Sequence, residues 1–564
     1  MTSDPRSTLP RRKARRTLKG RTVDAQALRD VQTLLGEEPR RRDLLIEHLH
    51  RIQDAFGCLS AAHLTALALE MRLATAEVYE VATFYHHFDI VKESDRAPAT
   101  LTVRVCDSLS CSLAGAARLL AELPSRLGNE VRVIPAPCVG RCEQAPVAVV
   151  GRNAIGRATP DGVSEAARAR ATEAVVPDYV EYATYREAGG YRTWQDVLAG
   201  RLPAEQALVT LEHSGLRGLG GAGFPAGRKW RIVRAEPAPR LMAVNIDEGE
   251  PGTFKDRWYL ERDPHRFLEG MLIAATVIGI AEIYIYLRDE YAHCRAILTQ
   301  ELARLQADPP GPLPSIALRR GAGAYICGEE SAMIESLEGK RGVPRLRPPY
   351  VAQVGLFGKP TLEQNFETLY WVRDILEKGS DWFTGQGRHG RQGLRSFSVS
   401  GRVNRPGVYL APAGITVREL IAEYAGGMQP GHELYAYLPG GASGGLLPAA
   451  LGDLPLDFDT LNEYGCFIGS AAVIVLSQQD TALDAARNTM RFFAEESCGQ
   501  CTPCRVGTAK AATLMEAPHW DTALLEELAQ AMADASICGL GQAAPNCIRC
   551  VIQYFPDELH RHRA

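Results

Sequence analysis

The grouping of its cysteines constrains this chain more than any other feature. Nine of its 14 cysteines fall in closely spaced groups, and a tenth, Cys538, lies between two of these groups and is assigned with them. No apolar signal segment follows Met1, so we expect a cytoplasmic, reducing environment in which a disulfide framework is disfavoured. Closely spaced cysteines in such a chain indicate metal or redox chemistry. The ten are Cys106/Cys111, Cys138/Cys142, Cys498/Cys501/Cys504, Cys538 and Cys547/Cys550.

The first two pairs predict one site with four thiolates. Cys106-x4-Cys111 and Cys138-x3-Cys142 are separated by 26 residues, and each pair lies where a predicted strand runs into a loop. A 2Fe–2S cluster needs four thiolates, two for each iron. Gly140 permits a tight backbone whose N–H groups bond the sulfurs. Zinc is the alternative, because zinc-binding pairs usually read C-x2–4-C.

The C-terminal cysteines predict a second cluster. Cys498-Gly-Gln-Cys501-Thr-Pro-Cys504 precedes a predicted helix, and Cys538 follows after 33 residues. Three closely spaced thiolates and one remote thiolate are typical of a 4Fe–4S cluster. We interpret Cys547 and Cys550 as free thiols, with alternative ligation near Cys538 left open. The four single cysteines are expected in the core or near a site.

A glycine-rich run at 218–227 contains G-x-G-x-x-G. The dinucleotide-binding form of this motif follows a strand, but residues 205–213 read as a helix, so a standard Rossmann turn is not expected. Bare glycine backbone can still approach a phosphate or a flat ring, and Lys229 supplies charge. A plain glycine-rich turn is the alternative.

Two further segments favour a nucleotide or flavin site. Polar and acidic residues from Asn245 to Asp256 follow an apolar strand, where they can meet ribose or ribityl hydroxyls. A solvated acidic turn is the alternative. A second glycine turn at 321–328 leads into a predicted helix, whose start favours phosphate.

The composition indicates a globular protein without a membrane or nucleic-acid partner. Hydrophobic residues are 46% and charged residues 23%, and the net charge of −4 gives no reason to expect nucleic acid or anionic lipid. The longest apolar run, 271–281, is too short to span a bilayer and predicts a buried helix. The first 22 residues carry eight Lys or Arg against one acidic residue, which predicts a disordered arm or a partner-docking tail.

Two resemblances join these motifs. Residues 23–175, including Val81-Ala-Thr-Phe-Tyr85, resemble the thioredoxin-like 2Fe–2S subunit of respiratory complex I. Residues 180–545, with the glycine-rich and acidic segments and Lys359-Pro-Thr361, resemble its FMN-binding, NADH-oxidising flavoprotein subunit. The β-rich segment 396–477, which contains the glycine-rich run at 439–445, resembles the β-grasp, soluble-ligand-binding domain of that flavoprotein, and we expect it to pack against its neighbours rather than bind a ligand.

The resemblances imply a multidomain α/β and α+β chain with FMN, NAD(H), a 2Fe–2S cluster and a 4Fe–4S cluster. A Tyr-, Gly- and charge-rich stretch between the two modules reads as a linker. The predicted units are a disordered basic arm (1–22), a helical bundle (23–100), a thioredoxin-like 2Fe–2S domain (101–175), a linker (176–204), a Rossmann-like FMN/NAD domain (205–395), a β-grasp domain (396–480) and a helical 4Fe–4S domain (481–564).

The flavoprotein resemblance also implies site residues. Glu250 and Glu330 would face the NAD ribose and nicotinamide as the catalytic pair, and Phe224 and Tyr350 would stack on the adenine. Gln364 stands where the family usually has Asn. No acid–base residue is required, because hydride moves between rings held face to face. The remaining predicted cofactor residues are Gly218, Gly220, Gly221, Lys229, Asn245, Asp247, Glu248, Tyr325, Gly328, Glu329 and Asn365.

The order of the two modules in one chain resembles the β (diaphorase) subunit of NAD-dependent molybdenum or tungsten formate dehydrogenases. The segments 42–50, 538–544 and 554–557 carry this resemblance. It implies an α-subunit partner with a pterin-bound metal and iron–sulfur clusters, where formate is oxidised. The alternatives are the diaphorase of an NAD-reducing hydrogenase, a complex I-like NADH dehydrogenase module, and a zinc-bearing scaffold without redox activity.

Overall fold

The structure is a computed structural model that describes residues 22–561. Nearly all of the predicted basic arm (1–22) lies outside the described residues. Within them, four β-sheets and the helices packed around them form the predicted multidomain α/β fold. No helix in this range is both long and apolar enough to cross a bilayer.

The N-terminal module is a helical bundle, as predicted. Leu45, Leu49 and Ile52 recur at helical spacing and are fully buried, which drives the packing of the second helix. Asp24 and Ser60 cap two of the helices by accepting hydrogen bonds from backbone N–H groups. The elements are α1 (Ala25–Leu35), α2 (Leu45–Phe56), β1 (Leu59–Ser60), α3 (Ala61–Met71), α4 (Thr75–Phe84) and β2 (Ile90–Val91).

The next module has a four-stranded mixed sheet in the order β4-β3-β5-β6. Strands β3 and β4 are parallel, so their carboxyl ends meet at one edge, and each of these ends leads into a cysteine pair. The elements are β3 (Leu101–Cys106), α5 (Leu109–Leu113), α6 (Ala116–Leu127), β4 (Val131–Ala136), β5 (Ala148–Val150), β6 (Asn153–Ile155) and α7 (Pro160–Arg168).

The prediction of a linker at 176–204 is wrong between Tyr182 and Leu198. The segment forms α8 (Tyr182–Glu187) and α9 (Arg192–Leu198), and Tyr185 and Trp194 are buried in the core. The carboxylate of Glu269 accepts hydrogen bonds from the Tyr185 hydroxyl at 2.6 Å and from the Tyr191 N–H at 2.9 Å. The aromatic residues that suggested a loop therefore anchor this stretch to the flavin domain.

The central domain has four parallel strands in the order β10-β7-β8-β9. The predicted buried helix spans Pro264–Ile278 and ends at Gly279, whose φ of +76° suits glycine. The elements are α10 (Ala204–His213), α11 (Ala226–Ala235), β7 (Arg240–Ile246), α12 (Lys255–Leu260), α13 (Pro264–Ile278), β8 (Ile280–Leu287), α14 (Ala292–Ala307), β9 (Ser315–Arg320), α15 (Glu330–Leu337), β10 (Thr361–Asn365), α16 (Phe366–Tyr370), α17 (Val372–Lys378) and α18 (Ser380–Thr384).

A β-rich domain and a helical region complete the fold. The five-stranded sheet has the order β12-β11-β15-β13-β14. Its elements are β11 (Leu394–Gly401), β12 (Gly407–Pro412), α19 (Val417–Glu419), β13 (Leu434–Leu438), β14 (Leu447–Pro448) and β15 (Ala472–Ser477). The C-terminal helices are α20 (Ala482–Glu496), α21 (Thr502–Met515), α22 (Thr522–Ala535), α23 (Gly539–Ala543), α24 (Asn546–Tyr554) and α25 (Pro556–Arg561).

Candidate functional site

A cavity of about 360 Å³ lies at the carboxyl ends of β7 and β10. In open parallel sheets, ligands bind at this edge. The flavin domain, the β-rich domain and the C-terminal helices all contribute to its wall. Ten of the predicted cofactor residues line it: Gly220, Gly221, Asn245, Asp247, Glu248, Glu250, Tyr325, Gly328, Glu329 and Asn365.

The glycine-rich wall leaves room that side chains would fill. A Cβ on Gly220 would lie 3.1 Å from the Cβ of Asn365, and Gly221 has a φ of +130°, which L-residues rarely adopt. Asp247 is partly exposed, but its Oδ2 is buried and has no hydrogen-bond partner among the described residues. A bare backbone beside an unsatisfied carboxyl oxygen fits a ligand that has a flat ring, hydroxyl groups and a phosphate, as FMN has.

Burial raises the pKa of the Asp247 carboxyl well above its ordinary value, although the positive charge of Arg288 opposes this. Burial likewise raises the pKa of Glu250, while its hydrogen bond from Tyr325 opposes the rise. Glu250 accepts hydrogen bonds from the Tyr325 hydroxyl and, at 2.7 Å, from the Ser443 N–H. The cavity therefore holds carboxyl groups in fixed positions.

Several cavity residues were not among the predicted site residues. Lys255 is buried, with its Nζ 2.7 Å from Asp256 Oδ1 and 3.1 Å from Glu367 Oε2. Asp256 in turn accepts a 2.8 Å hydrogen bond from the amide of Asn365. Their position just after the acidic run at 245–250 could have pointed to Lys255 and Asp256. The sequence carried no signal for the others, Ser443 and Ser470, which only the packing of the β-rich domain brings to the cavity.

The other predicted residues lie outside the cavity wall. Lys229 has its Nζ 2.8 Å from Glu363 Oε2 and 3.7 Å from Glu330 Oε2. Gln364 is buried and accepts a 3.1 Å hydrogen bond from the Trp230 indole. That contact gives Gln364 a structural role, and its predicted flavin contact stays a prediction.

Phe224 and Tyr350, the predicted adenine-stacking pair, are 41% and 54% exposed. Large aromatic rings at such exposure are available for stacking on a planar ligand. Gly218 lies in the turn that precedes the cavity, and its N–H donates to the Phe224 carbonyl at 2.8 Å. This bond places Phe224 at the rim of the glycine-rich turn.

The first cysteine quartet is buried, with each residue at most 4% exposed. The sulfurs of Cys138 and Cys142 are 3.4 Å apart. Hydrogen bonds from Cys106 and Cys142 lower the pKa of the Cys138 thiol, and Cys106 also interacts with Cys111, so the four thiols form one connected group. The Gly140 N–H also points to Cys138, as expected for a loop that stabilises thiolates.

The flavin domain clamps the loop between Cys138 and Cys142. Arg257 donates from Nε to the Gly140 carbonyl at 2.7 Å, and Arg288 donates to the Cys138 carbonyl at 2.7 Å. Arg288 also donates to the carbonyl of Glu248 in the cavity wall. A Cβ on Gly140 would lie 2.1 Å from the Tyr291 hydroxyl, so only glycine fits here.

The second quartet lies beside the cavity. Cys501 and Cys538 each precede a helix, and the N–H groups of Leu540 and Gly541 bond the Cys538 sulfur. Burial nevertheless raises the pKa of Cys538 to about 12. Gly539 and Leu540, which directly follow Cys538, line the cavity. The cysteine loop and the cavity therefore share a wall.

The pair Cys547 and Cys550 is buried and free of disulfides. The sulfur of Cys550 lies 3.5 Å from that of Cys466 in the β-rich domain. The structure thus places Cys550 beside Cys466, and the interpretation of free thiols fits this position.

Comparison with known families covers most of the chain. Residues 31–170 match the thioredoxin-like [2Fe-2S] ferredoxin family, and residues 211–374 match the Nuo51 FMN-binding domain. Residues 396–447 match the SLBB domain. Residues 484–562 match the iron–sulfur binding region of NADH-ubiquinone oxidoreductase-F.

A subunit of the NADH-quinone oxidoreductase of Rhizobium meliloti (strain 1021) is 41% identical over 404 residues, which cover 69% of this chain and 95% of the relative. The chain belongs to this family of NADH-quinone oxidoreductase subunits. The mitochondrial 51 kDa subunit of NADH-ubiquinone oxidoreductase of Neurospora crassa, another relative, is 41% identical over 370 residues, 62% of this chain and 75% of the relative.

A solved structure extends the similarity to the N-terminal module. A chain of the crystal structure of an NAD+-reducing [NiFe]-hydrogenase in the H2-reduced state is 33% identical, with a TM-score of 0.82. The alignment covers 93% of this member of the NADH-quinone oxidoreductase family and 94% of the hydrogenase chain. The similarity thus includes the order of the two modules.

The family membership confirms the predicted cofactors: FMN, NAD(H), a 2Fe–2S cluster and a 4Fe–4S cluster. The chain is a NAD-linked flavin and iron–sulfur oxidoreductase. This excludes the zinc-bearing scaffold. The assignment of individual residues to each cofactor stays a prediction.

Proposed function

We propose that this chain is the diaphorase subunit of a cytoplasmic NAD-dependent formate dehydrogenase, and that it connects a formate-oxidising α subunit to NAD+ in a reversible reaction. The α subunit would carry a molybdenum or tungsten pterin and its own iron–sulfur clusters. The segments 42–50, 538–544 and 554–557 support this partner through their resemblance to formate dehydrogenase β subunits.

The observation that carries the diaphorase role is the contact of three candidate sites within one polypeptide. Leu540, two residues after Cys538, lines the flavin cavity, and Arg288 bonds both the Cys138 carbonyl and the Glu248 carbonyl. Such close packing keeps redox groups within reach of one another. It supports a chain that joins hydride chemistry to single-electron transfer.

In this proposal the eight predicted thiolates hold the two clusters. Cys106, Cys111, Cys138 and Cys142 would bind the 2Fe–2S cluster, and Cys498, Cys501, Cys504 and Cys538 the 4Fe–4S cluster. When bound, FMN exchanges hydride with nicotinamide and single electrons with the clusters.

The residues of the cavity hold the flavin and the nucleotide in position and set the charge around them. Asp247 offers its free Oδ2 to a hydroxyl of the bound flavin or nucleotide, and Gly220 and Gly221 keep the cavity wall free of side chains. Tyr325 and Ser443 fix the carboxyl of Glu250, which we assign together with Glu330 to the nicotinamide and ribose. Phe224 and Tyr350 would hold the adenine at the surface.

A second candidate partner has support of equal weight. The hydrogenase chain aligns over 93% of this chain, more than either module spans alone, which favours the diaphorase of an NAD-reducing hydrogenase. The NADH-quinone oxidoreductase relatives favour a complex I-like NADH dehydrogenase module, but they align with only 62–69% of the chain.

The partner is identified by anaerobic purification of the complex through a tag on this chain. Molybdenum or tungsten in the partner and formate-dependent NAD+ reduction support the formate dehydrogenase. Nickel and H2-dependent NAD+ reduction instead support the hydrogenase. Loss of formate- or H2-dependent NAD+ reduction in Cys501→Ser, with that activity kept in the exposed control Asp453→Asn, checks the diaphorase role in either complex. Purified protein that contained iron and FMN but did not oxidise NADH with an artificial acceptor would contradict that role.

A further inference from the structure

A second cavity, of about 260 Å³, lies between the flavin domain and the β-rich domain. The segment that leads into the glycine-rich turn forms one side, and the start of β11 with the loop at 457–458 forms the other. Three arginines line it: Arg217, Arg391 and Arg395. None of the residues assigned above to FMN, NAD or the clusters lines this cavity.

The charges of this cavity are unbalanced. Asp457 is the acidic residue in its wall, and its two carboxylate oxygens accept from Arg391 and Arg395, both at 2.8 Å. Arg217 pairs at 2.7 Å with Asp459, which is largely exposed. Three guanidinium groups therefore meet two carboxylates, of which only Asp457 lines the cavity, and the net positive charge that remains attracts anions.

One of the arginines has an unmet donor. Arg395 is 4% exposed, and its Nε–H has no hydrogen-bond partner among the described residues. Buried donors in folded proteins are rarely left without a partner. Its guanidinium lies over the ring of Phe458, 3.9 Å from the centroid, and Arg217 lies 4.2 Å from the centroid of the same ring. The aromatic ring therefore holds two guanidinium planes in fixed orientations.

The cavity is connected to the flavin site through the glycine-rich turn. Arg217 donates from Nε to the Gly223 carbonyl. Phe458 packs so closely on Gly223 that a Cβ there would lie 2.5 Å from the ring. Residues that line the second cavity therefore hold the turn that carries Gly220 and Gly221.

We propose that this cavity binds a small oxyanion, a carboxylate or a phosphate, through Arg217, Arg391 and Arg395. Carboxylates and phosphates accept paired N–H hydrogen bonds from guanidinium groups, and such charge-assisted hydrogen bonds are stronger than hydrogen bonds between neutral groups. An anion bound to Arg217 competes with the hydrogen bond that Arg217 donates to the Gly223 carbonyl. Anion binding therefore changes how tightly the glycine-rich turn retains FMN. The anion site does not depend on whether the partner subunit oxidises formate or H2. It also gives the β-rich domain a binding role that the sequence did not predict.

Binding is measured by equilibrium dialysis of radiolabelled inorganic phosphate, and separately of succinate, against the FMN-loaded full-length complex at constant ionic strength. FMN loading fills the phosphate position of the flavin site. We expect one saturable site per chain for at least one probe. Arg391→Gln and Arg395→Met should each weaken binding by on the order of tenfold or more. Arg388→Gln is the matched control, because Arg388 pairs with Glu423 near this cavity without lining it.

The rate of FMN release is the second readout. It should change several-fold on saturation with the bound probe in the unmodified chain and in Arg388→Gln, and stay constant in Arg391→Gln. Arg391 is more exposed than Arg395, so this variant tests the site even if Arg395→Met folds poorly. Saturable binding of phosphate alone or of succinate alone defines the class of anion. Absence of saturable binding for both probes, or equal binding in Arg391→Gln and Arg388→Gln, would overturn the proposal.

Discussion

The two cysteine quartets differ in what shields them and in what holds them in place. All four residues of the first quartet are buried, whereas Cys498, Cys501 and Cys538 of the second are partly exposed. The first lies against charged residues of another domain, Arg257 and Arg288. The second lies at the starts of α21 and α23, where backbone N–H groups face the sulfurs.

The difference shows two ways to stabilise thiolates. Helix starts supply N–H donors locally, so the second site depends mainly on the C-terminal helices themselves. The first site depends on the interface between two modules, because its loop carbonyls are bonded by arginines that lie more than a hundred positions away in sequence. Changes at this interface should therefore affect the first cluster and spare the second.

The largest expected effect is the loss of one cluster at a time. Cys138→Ser removes a thiolate from the first quartet and Cys501→Ser one from the second, and we expect each variant to lose the cluster that its four thiolates hold. We expect EPR spectra after NADH reduction to lack the 2Fe–2S signal in the first variant and the 4Fe–4S signal in the second. A variant that lost both signals would show that the two sites are not independent.

Substitution at the interface should come next in size. Arg257→Gln leaves Glu143 and Glu261 buried without their shared cation. Breaking a buried ion pair in this way costs about 3–5 kcal/mol. We expect faster loss of 2Fe–2S iron under denaturant and an unchanged rate for 4Fe–4S iron, measured by iron release. Arg262→Gln is the control, because this neighbouring arginine is about half exposed and contacts Glu261 only at 3.7 Å.

The pH dependence of stability tests a buried carboxyl behind this interface, because the Glu248 side chain accepts hydrogen bonds from the Arg257 N–H and the Tyr291 hydroxyl. Burial, together with the charge of Asp256, raises the pKa of Glu248 from 4.5 to about 7. The folded chain then keeps a proton that the unfolded chain has lost, so the free energy of unfolding falls as pH rises from 4.5 to about 7. This shift corresponds to at most about 3 kcal/mol. Denaturation midpoints over this range should vary less in Glu248→Gln, and an equally steep variation in both proteins would contradict this origin.

The smallest effect concerns Asp247, which lines both the flavin cavity and a crevice beside Cys138. Asp247→Asn keeps the shape but changes the free oxygen from a carboxyl to an amide group. We expect the Kd for FMN to rise about tenfold, which is about 1.4 kcal/mol. Flavin fluorescence after dilution measures it, and unchanged signals from both clusters would confine the change to the flavin. The exposed Asp453→Asn should leave the Kd unchanged.

The sequence by itself predicted the modules, the cofactors and most of the local elements. Spacing of the cysteines and glycines is a local property, and the strands Leu101–Cys106 and Arg240–Ile246 carry apolar runs that are readable without tertiary context. The position of the segment from Asn245 to Glu250 after an apolar strand indicated a site there, and the flavoprotein resemblance implied which of its residues face the cofactors.

Only the tertiary structure decided which distant residues meet. The stretch 176–204 was predicted as a linker because it is rich in tyrosine, glycine and charged residues, yet Tyr185 and Trp194 are core residues. The contacts of Arg257 and Arg288 with the cysteine loop, the arrival of Ser443 at the cavity, and the three arginines of the second cavity join residues from different domains. Local spacing carries no record of such contacts, because domain packing depends on the complementary shape and charge of whole surfaces.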